Sequence, residues 1–175
     1  MATQDAHFMQ TYYSGTPAEK LTQAHALFAE LADRLTASHG FQGELDQLRQ
    51  HSLALNQHMR TMDLGRLCSG CAARPGGGCC SAYMADNTDS LQMLINLLLG
   101  ISIVQQQDNG GNCCFLGAQG CLFLVKPIFC LNYNCTHILA STEPANLEAP
   151  YHLAAAVLSQ QTKIEGLLIE ALRNR

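Results

Sequence analysis

The most apolar stretch of the sequence reads LQMLINLLLGISIV, at residues 91–104. Asn96 and Gly100 interrupt it, and it is too short to cross a hydrocarbon core of about 30 Å. Its apolar residues would cover every side of a helix, which is typical of a helix inside a protein core. We therefore predict a buried helix that begins near residues 86–88 and continues until DNGG, at residues 108–111, stops it.

Apolar residues at helical spacing predict three further helices around this one. The first covers residues 17–38, because TPAE at residues 16–19 is a capping box with proline at the first helical position. We expect Gly40 to cap its end in the left-handed conformation. A second helix to about residue 63 would complete an antiparallel hairpin. The last is predicted over residues 150–172.

The sequence thus predicts a mainly α fold, a bundle of about four helices with an irregular cysteine-rich metal-binding cap. Its length, with 47% hydrophobic residues, indicates one domain over residues 1–175. The 14 acidic and 10 basic residues give a net charge of −4, and they form no basic field. We therefore expect neither a nucleic acid nor a membrane as a partner.

The chain contains nine cysteines. Residues 1–15 have neither the positive charge nor the apolar core of a secretory signal, so we predict a cytoplasmic protein. Thiols stay reduced in that compartment, and an odd number cannot pair off completely. Metal ligation is the leading explanation for so many cysteines.

All nine cysteines fall in two blocks between residues 68 and 135. In the first block, the proline and three consecutive glycines of LCSGCAARPGGGCCSAY, residues 67–83, predict an irregular binding loop. The second block, residues 113–135, predicts turns with at most a short strand. The predicted ligands are Cys68, Cys71, Cys79, Cys80, Cys113, Cys121, Cys130 and Cys135.

The spacing of the cysteines does not decide how many metal ions are bound. Cys79 and Cys80 are adjacent and would point to opposite sides of an extended chain, so they do not easily share one ion. The two blocks of four ligands could form two tetrahedral sites, or one polynuclear centre with spare thiols. Burial alone accounts for one or two free cysteines, and we assign Cys114 to core packing. His137 is either a mixed ligand or an exposed polar residue.

The motifs of residues 68–135 resemble the YkgJ-like cysteine-cluster proteins, a family described as zinc- or iron-chelating. They are the C-x2-C of Cys68 and Cys71, the pair Cys79-Cys80, then CCFL at 113–116, Gly120-Cys121, KPIFC at 126–130 and Tyr133-Asn134-Cys135. The resemblance implies metal chelation. It extends to flagellin lysine methylases, which carry a similar cluster, but this chain lacks their extra length and methyl transfer is not carried over.

The sequence departs from that family pattern at several positions. The gap before Cys79 is longer, Lys126 replaces the commoner arginine, and Leu131 stands where a basic residue is frequent. Two functions follow from the motifs. One is an iron–sulfur centre for a redox or accessory role with a protein substrate or redox partner. The other is a structural zinc module that stabilises a helical protein-interaction domain. Thiolate suits both metals, and spacing does not choose between them.

Overall fold

The computed structural model describes residues 2–74, 78–106, 111–131, 135–143 and 146–174. These residues form eight α-helices, a 3-10 helix and a two-stranded antiparallel sheet. The helices are α1 Ala2–Tyr13, α2 Pro17–Thr36, α3 His39–Thr61, α4 Leu64–Ala72, α5 Ala82–Asp86, α6 Ser90–Leu98, α7 Thr136–Ser141 and α8 Glu148–Arg173. The strands are β1 Leu116–Gly117 and β2 Gly120–Cys121, and the 3-10 helix is Ile128–Leu131. None of the helices in these ranges is long and apolar enough to cross a membrane.

Helix α6 forms the centre of the core, as the sequence predicted. All of its residues are buried, and α1, α2 and α8 pack around it. Asp89 begins the helix, because its side chain accepts a hydrogen bond of 2.8 Å from the backbone N–H of Gln92. The predicted start near residues 86–88 was therefore slightly early.

The predicted end of this helix was wrong. Helix α6 stops at Leu98, and Gly100 follows with a φ of +76°. Glycine adopts this left-handed conformation without steric cost, so it reverses the backbone before the apolar run is finished. Residues 101–106 are not helical. Of the predicted DNGG stop, residues 108–110 lie outside the described ranges.

The capping box at the start of α2 is confirmed. The Thr16 hydroxyl accepts a hydrogen bond from the backbone N–H of Glu19. In return, the Glu19 carboxylate accepts a hydrogen bond from the backbone N–H of Thr16. The helix ends at Thr36, where Ala37 is a right-handed cap. Gly40 is not the cap that we expected, since it lies in the first turn of α3. A short connection leaves no room for a left-handed glycine between the two helices.

The two predicted hairpin helices, α2 and α3, touch each other, but each packs more extensively on another helix. Helix α2 packs mainly on α6, and α3 mainly on α8. Polar contacts add to the second pair, because the Gln160 amide on α8 donates to the backbone oxygen and carboxylate of Glu44 on α3. The final helix covers nearly the predicted residues. The core is thus built from pairs that are distant in sequence.

The fold is mainly helical, but it has eight α-helices in the described ranges where we expected about four. The additional ones are α1, α4, α5 and α7. Helix α4 corrects a specific prediction, because residues 67–72 of the predicted binding loop are helical. The glycines and the proline that argued against a helix come only after Ala72, where the helix ends. Residues 75–77 of that loop lie outside the described ranges.

Candidate metal centre

Six cysteines line one small cavity beside α4, with a volume of about 70 Å³. They come from α4, from the segment before α5, from the 3-10 helix and from the start of α7. These cysteines are Cys68, Cys71, Cys79, Cys80, Cys130 and Cys135. His137 also lines the cavity. The fold therefore brings together six of the eight predicted ligands and the residue that we considered as a mixed ligand.

The rest of the cavity wall is apolar. It consists of Met59, Leu64, Leu67, Met84, Phe129 and Ile138. Apolar side chains lower the local dielectric constant, which strengthens the interaction between thiolates and a cation. Met59 on α3 and Met84 on α5 lie beside the cysteines, although no pattern in the sequence predicted their place in this wall.

Helix α4 positions the first two thiols. Cys68 and Cys71 are three residues apart, so they lie on one face of the helix. Buried Leu64 anchors the start of the helix and buried Ala72 its end. A Cβ atom on Gly78 would lie 3.0 Å from the Cys71 sulfur, so the absence of a side chain at Gly78 leaves space for that sulfur.

Backbone hydrogen bonds join the two cysteine blocks. Ser81 and Asn112 form an antiparallel bridge. Next to it, the N–H of Cys113 donates to the carbonyl of Cys80 at 3.0 Å, and the N–H of Ala82 donates to that of Gly111 at 2.7 Å. The adjacent cysteines of each block are thus held beside those of the other.

Cys113 and Cys121 lie near the cavity but do not line it. Each sulfur accepts a hydrogen bond from the backbone N–H two residues later, from Phe115 and Phe123 respectively. The two phenyl rings pack with their centroids 4.7 Å apart. Backbone amides that donate to sulfur stabilise thiolates, a feature of metal sites. Both residues can therefore act as ligands or as neighbours of the centre.

Five of the thiols, those of Cys68, Cys80, Cys113, Cys121 and Cys130, have a raised pKa and so favour their neutral form. Burial, followed by the charge of neighbouring cysteines, raises the pKa of Cys68 to about 11 and that of Cys130 to about 12. Burial raises the pKa of Cys80 and Cys121 as well. A cation must supply the compensating charge before these groups ionise together, and its binding releases their protons.

Lys126 is a buried cation in the wall behind the cluster, with only 6% of its surface exposed. Its ammonium group donates to the side-chain oxygen of Asn56 on α3. Burial lowers the pKa of Lys126, while the charges of Cys121 and Cys130 oppose this effect. We had noted Lys126 in the KPIFC motif, but the sequence did not link it to Asn56.

Six of the thiols line one cavity, but they are not arranged around a common point. Within the described ranges, no group of three or more His, Cys, Asp or Glu side chains forms an arrangement that could hold a metal ion. All nine cysteines are free. Cys114 does not line the cavity and packs against the core, as Cys113 and Cys121 also do. Ligation of a metal would require the side chains to turn toward a common point.

Comparison of the chain with protein-family models, with curated proteins and with solved structures finds no match.

Proposed function

We propose that the protein binds metal in the cavity between α4, the 3-10 helix and α7. The proposed ligands are the eight cysteines predicted from the sequence, with the six that line the cavity as the inner set. The observation that supports the proposal is the meeting of six thiols from four separate segments in one apolar space. Thiolates are soft ligands that select iron–sulfur clusters, zinc and copper(I).

Core packing alone is a weaker explanation for these cysteines. A free cysteine in a core behaves as a small apolar side chain. Yet Cys79 is exposed, and the other thiols that line the cavity are only partly buried. Packing also gives no reason for the amide hydrogen bonds to the sulfurs of Cys113 and Cys121.

We favour an iron–sulfur centre over a single zinc ion. A cavity of on the order of 10–15 Å³ holds one water molecule, so about 70 Å³ has room for several atoms. One closed zinc site uses four ligands, whereas eight thiols are present in and beside the cavity. When bound, an iron–sulfur cluster accepts and returns an electron. The role that follows is redox or accessory, with a protein substrate or a redox partner.

The alternative is a structural zinc module that holds the cysteine segments on the helices of an interaction domain. The C-x2-C spacing of Cys68 and Cys71 supports it, because zinc sites commonly use that spacing. In this case the metal contributes to folding and does not change its oxidation state.

Purification of the full chain without oxygen tests the proposal and distinguishes the two metals. We expect a brown solution that contains iron and acid-labile sulfide and that bleaches reversibly on reduction. A colourless protein with stoichiometric zinc would support the structural alternative. Protein that contains neither metal, and that takes up neither on reconstitution under reducing conditions, would refute both.

A further inference from the structure

A second cavity, of about 460 Å³, has Cys121 in its lining but none of the six cysteines that line the first cavity. It opens between α3, the start of α4 and the hairpin of β1 and β2. Its lining includes Asn56, Arg60, Gly117, Gly120, Cys121 and Lys126. We propose that this cleft binds a small molecule through an oxyanion, a carboxylate or phosphate group.

The positive charge of the residues that line the cleft supports the proposal. Arg60 and Lys126 both line the cleft, and no aspartate or glutamate does so. Neither cation has a carboxylate partner among the residues that the structure describes. Two convergent cations without an anion repel each other, so an oxyanion between them would relieve that repulsion. This concentration of positive charge contrasts with the net charge of −4 of the chain.

Lys126 and Arg60 are held in different ways, and this difference suits the recognition of an oxyanion. The Lys126 ammonium is fixed by its hydrogen bond to Asn56, whose own amide donates to the carbonyls of Ser52 and Leu124. Arg60 is exposed and lies one helical turn after Asn56 on α3. A fixed point charge at the base and a guanidinium at the rim can contact the same oxyanion, because arginine binds carboxylate and phosphate with two parallel N–H groups.

At the floor of the cleft, the backbones of α4 and the hairpin lie in direct contact, with no side chain between them. A Cβ atom on Gly65 would lie 2.2 Å from the backbone oxygen of Gln119, and one on Gly120 would lie 2.9 Å from the Cα of Gly65. The hairpin therefore rests directly on α4. Such close backbone packing preorganises a cleft and reduces the entropic cost of binding.

Calorimetric titration of the full chain with inorganic phosphate and, separately, with succinate tests the site. We expect at least one of the two to bind, and the comparison shows which oxyanion fits. Arg60→Gln and Lys126→Met should each weaken that binding by about tenfold or more, since each removes a charge-assisted hydrogen bond. Arg66→Gln is the matched control, because Arg66 is an exposed arginine outside the cleft that pairs with Asp63. It should bind like the wild type.

Chemical shifts of the backbone amides of Gly117 and Gly120 provide a second measurement that does not depend on the stability of the variants. Binding in the cleft should shift both amides in the wild type and in Arg66→Gln. Absence of binding by both anions, or equal weakening in Arg66→Gln, would overturn the proposal. Because the titration measures anion affinity and not metal content, its failure would leave the metal proposal unaffected.

Discussion

The side chain of Asn96 on α6 pairs with both backbone groups of Val125 in the second cysteine block. Its amide donates to the Val125 carbonyl at 2.9 Å, and its carbonyl oxygen accepts from the Val125 N–H at 3.0 Å. Both residues are buried. This contact fixes the second block to the central helix, so the polar residue that interrupts the apolar run has a structural role.

Asn96→Leu should destabilise the protein by about 1–3 kcal/mol, because it leaves the buried N–H of Val125 without an acceptor. The Val125 carbonyl keeps its hydrogen bond from Gln92, so only one buried group loses its partner. Urea denaturation measures the free energy of unfolding. Asn87→Ala is the control, since the Asn87 side chain makes an exposed hydrogen bond. If Asn96→Leu were no less stable than this control, the proposed anchoring role would be wrong.

The cap of α6 makes stability depend on pH through Asp89. Burial, together with the charge of Glu165, raises the pKa of Asp89 above its ordinary value of 3.8, although the N–H of Gln92 and the charge of Lys20 oppose the shift. The folded state therefore binds the proton more tightly than the unfolded chain. The stability that this group contributes is complete below pH 3.8 and is lost as the pH rises through the folded pKa.

Asp89→Asn should remove this dependence, because asparagine keeps the capping oxygen without the charge. The variant should gain stability over the wild type as the pH rises from about 4, and the gain should level off above the folded pKa. Asp89→Ala should instead lose about 1 kcal/mol through loss of the cap. Denaturation curves at several pH values provide the measurement. A wild type that becomes more stable relative to Asp89→Asn with rising pH would contradict the sign.

The contact between α4 and the hairpin predicts a difference between two glycines of the same helix. Gly65→Ala would force the Cβ atom into the backbone of Gln119 and should cost about 1–3 kcal/mol. Gly70→Ala meets no atom within 4 Å and should gain up to about 1 kcal/mol from helix propensity. Thermal and urea unfolding of both variants measure these values. Equal stability of the two would show that the hairpin is free to move away from α4.

Removal of metal should leave most of the helical structure intact. Helices α2, α3 and α8 have apolar faces in the core and draw no ligand from the cysteine blocks. The cysteine segments have little regular structure, so they should exchange their amide protons faster without metal. Far-UV circular dichroism and hydrogen exchange before and after chelation compare the two states. Loss of nearly all helical signal on chelation would refute this expectation.

Local signals in the sequence predicted the helices well where a side chain acts on its own backbone. The Thr16 cap is such a case, because its hydrogen bonds reach only to Glu19. The sequence failed where the outcome depended on one backbone angle, as at Gly100, or on where the glycines began relative to Cys71. In both cases the error lies in the predicted boundary between a helix and an irregular segment.

The sequence predicts which residues could form the candidate site, but it does not predict where that site lies in the fold. The cysteines stand out because of their number and spacing. Met59 on α3 lies in the same cavity wall as Cys130 and Cys135, and the buried Lys126 donates to Asn56 on the same helix. These contacts join segments that are distant along the chain, and no local pattern encodes them.

The central claim is that one metal centre draws thiolates from both cysteine blocks. The most direct test is the metal content per chain of anaerobically purified protein, compared between the wild type, Cys71→Ser, Cys130→Ser and Cys114→Ser. The account predicts that Cys71→Ser and Cys130→Ser each lose most of the metal, whereas Cys114→Ser keeps the wild-type content. A wild-type content in Cys71→Ser and Cys130→Ser, or full binding by a peptide of residues 113–135 alone, would contradict it.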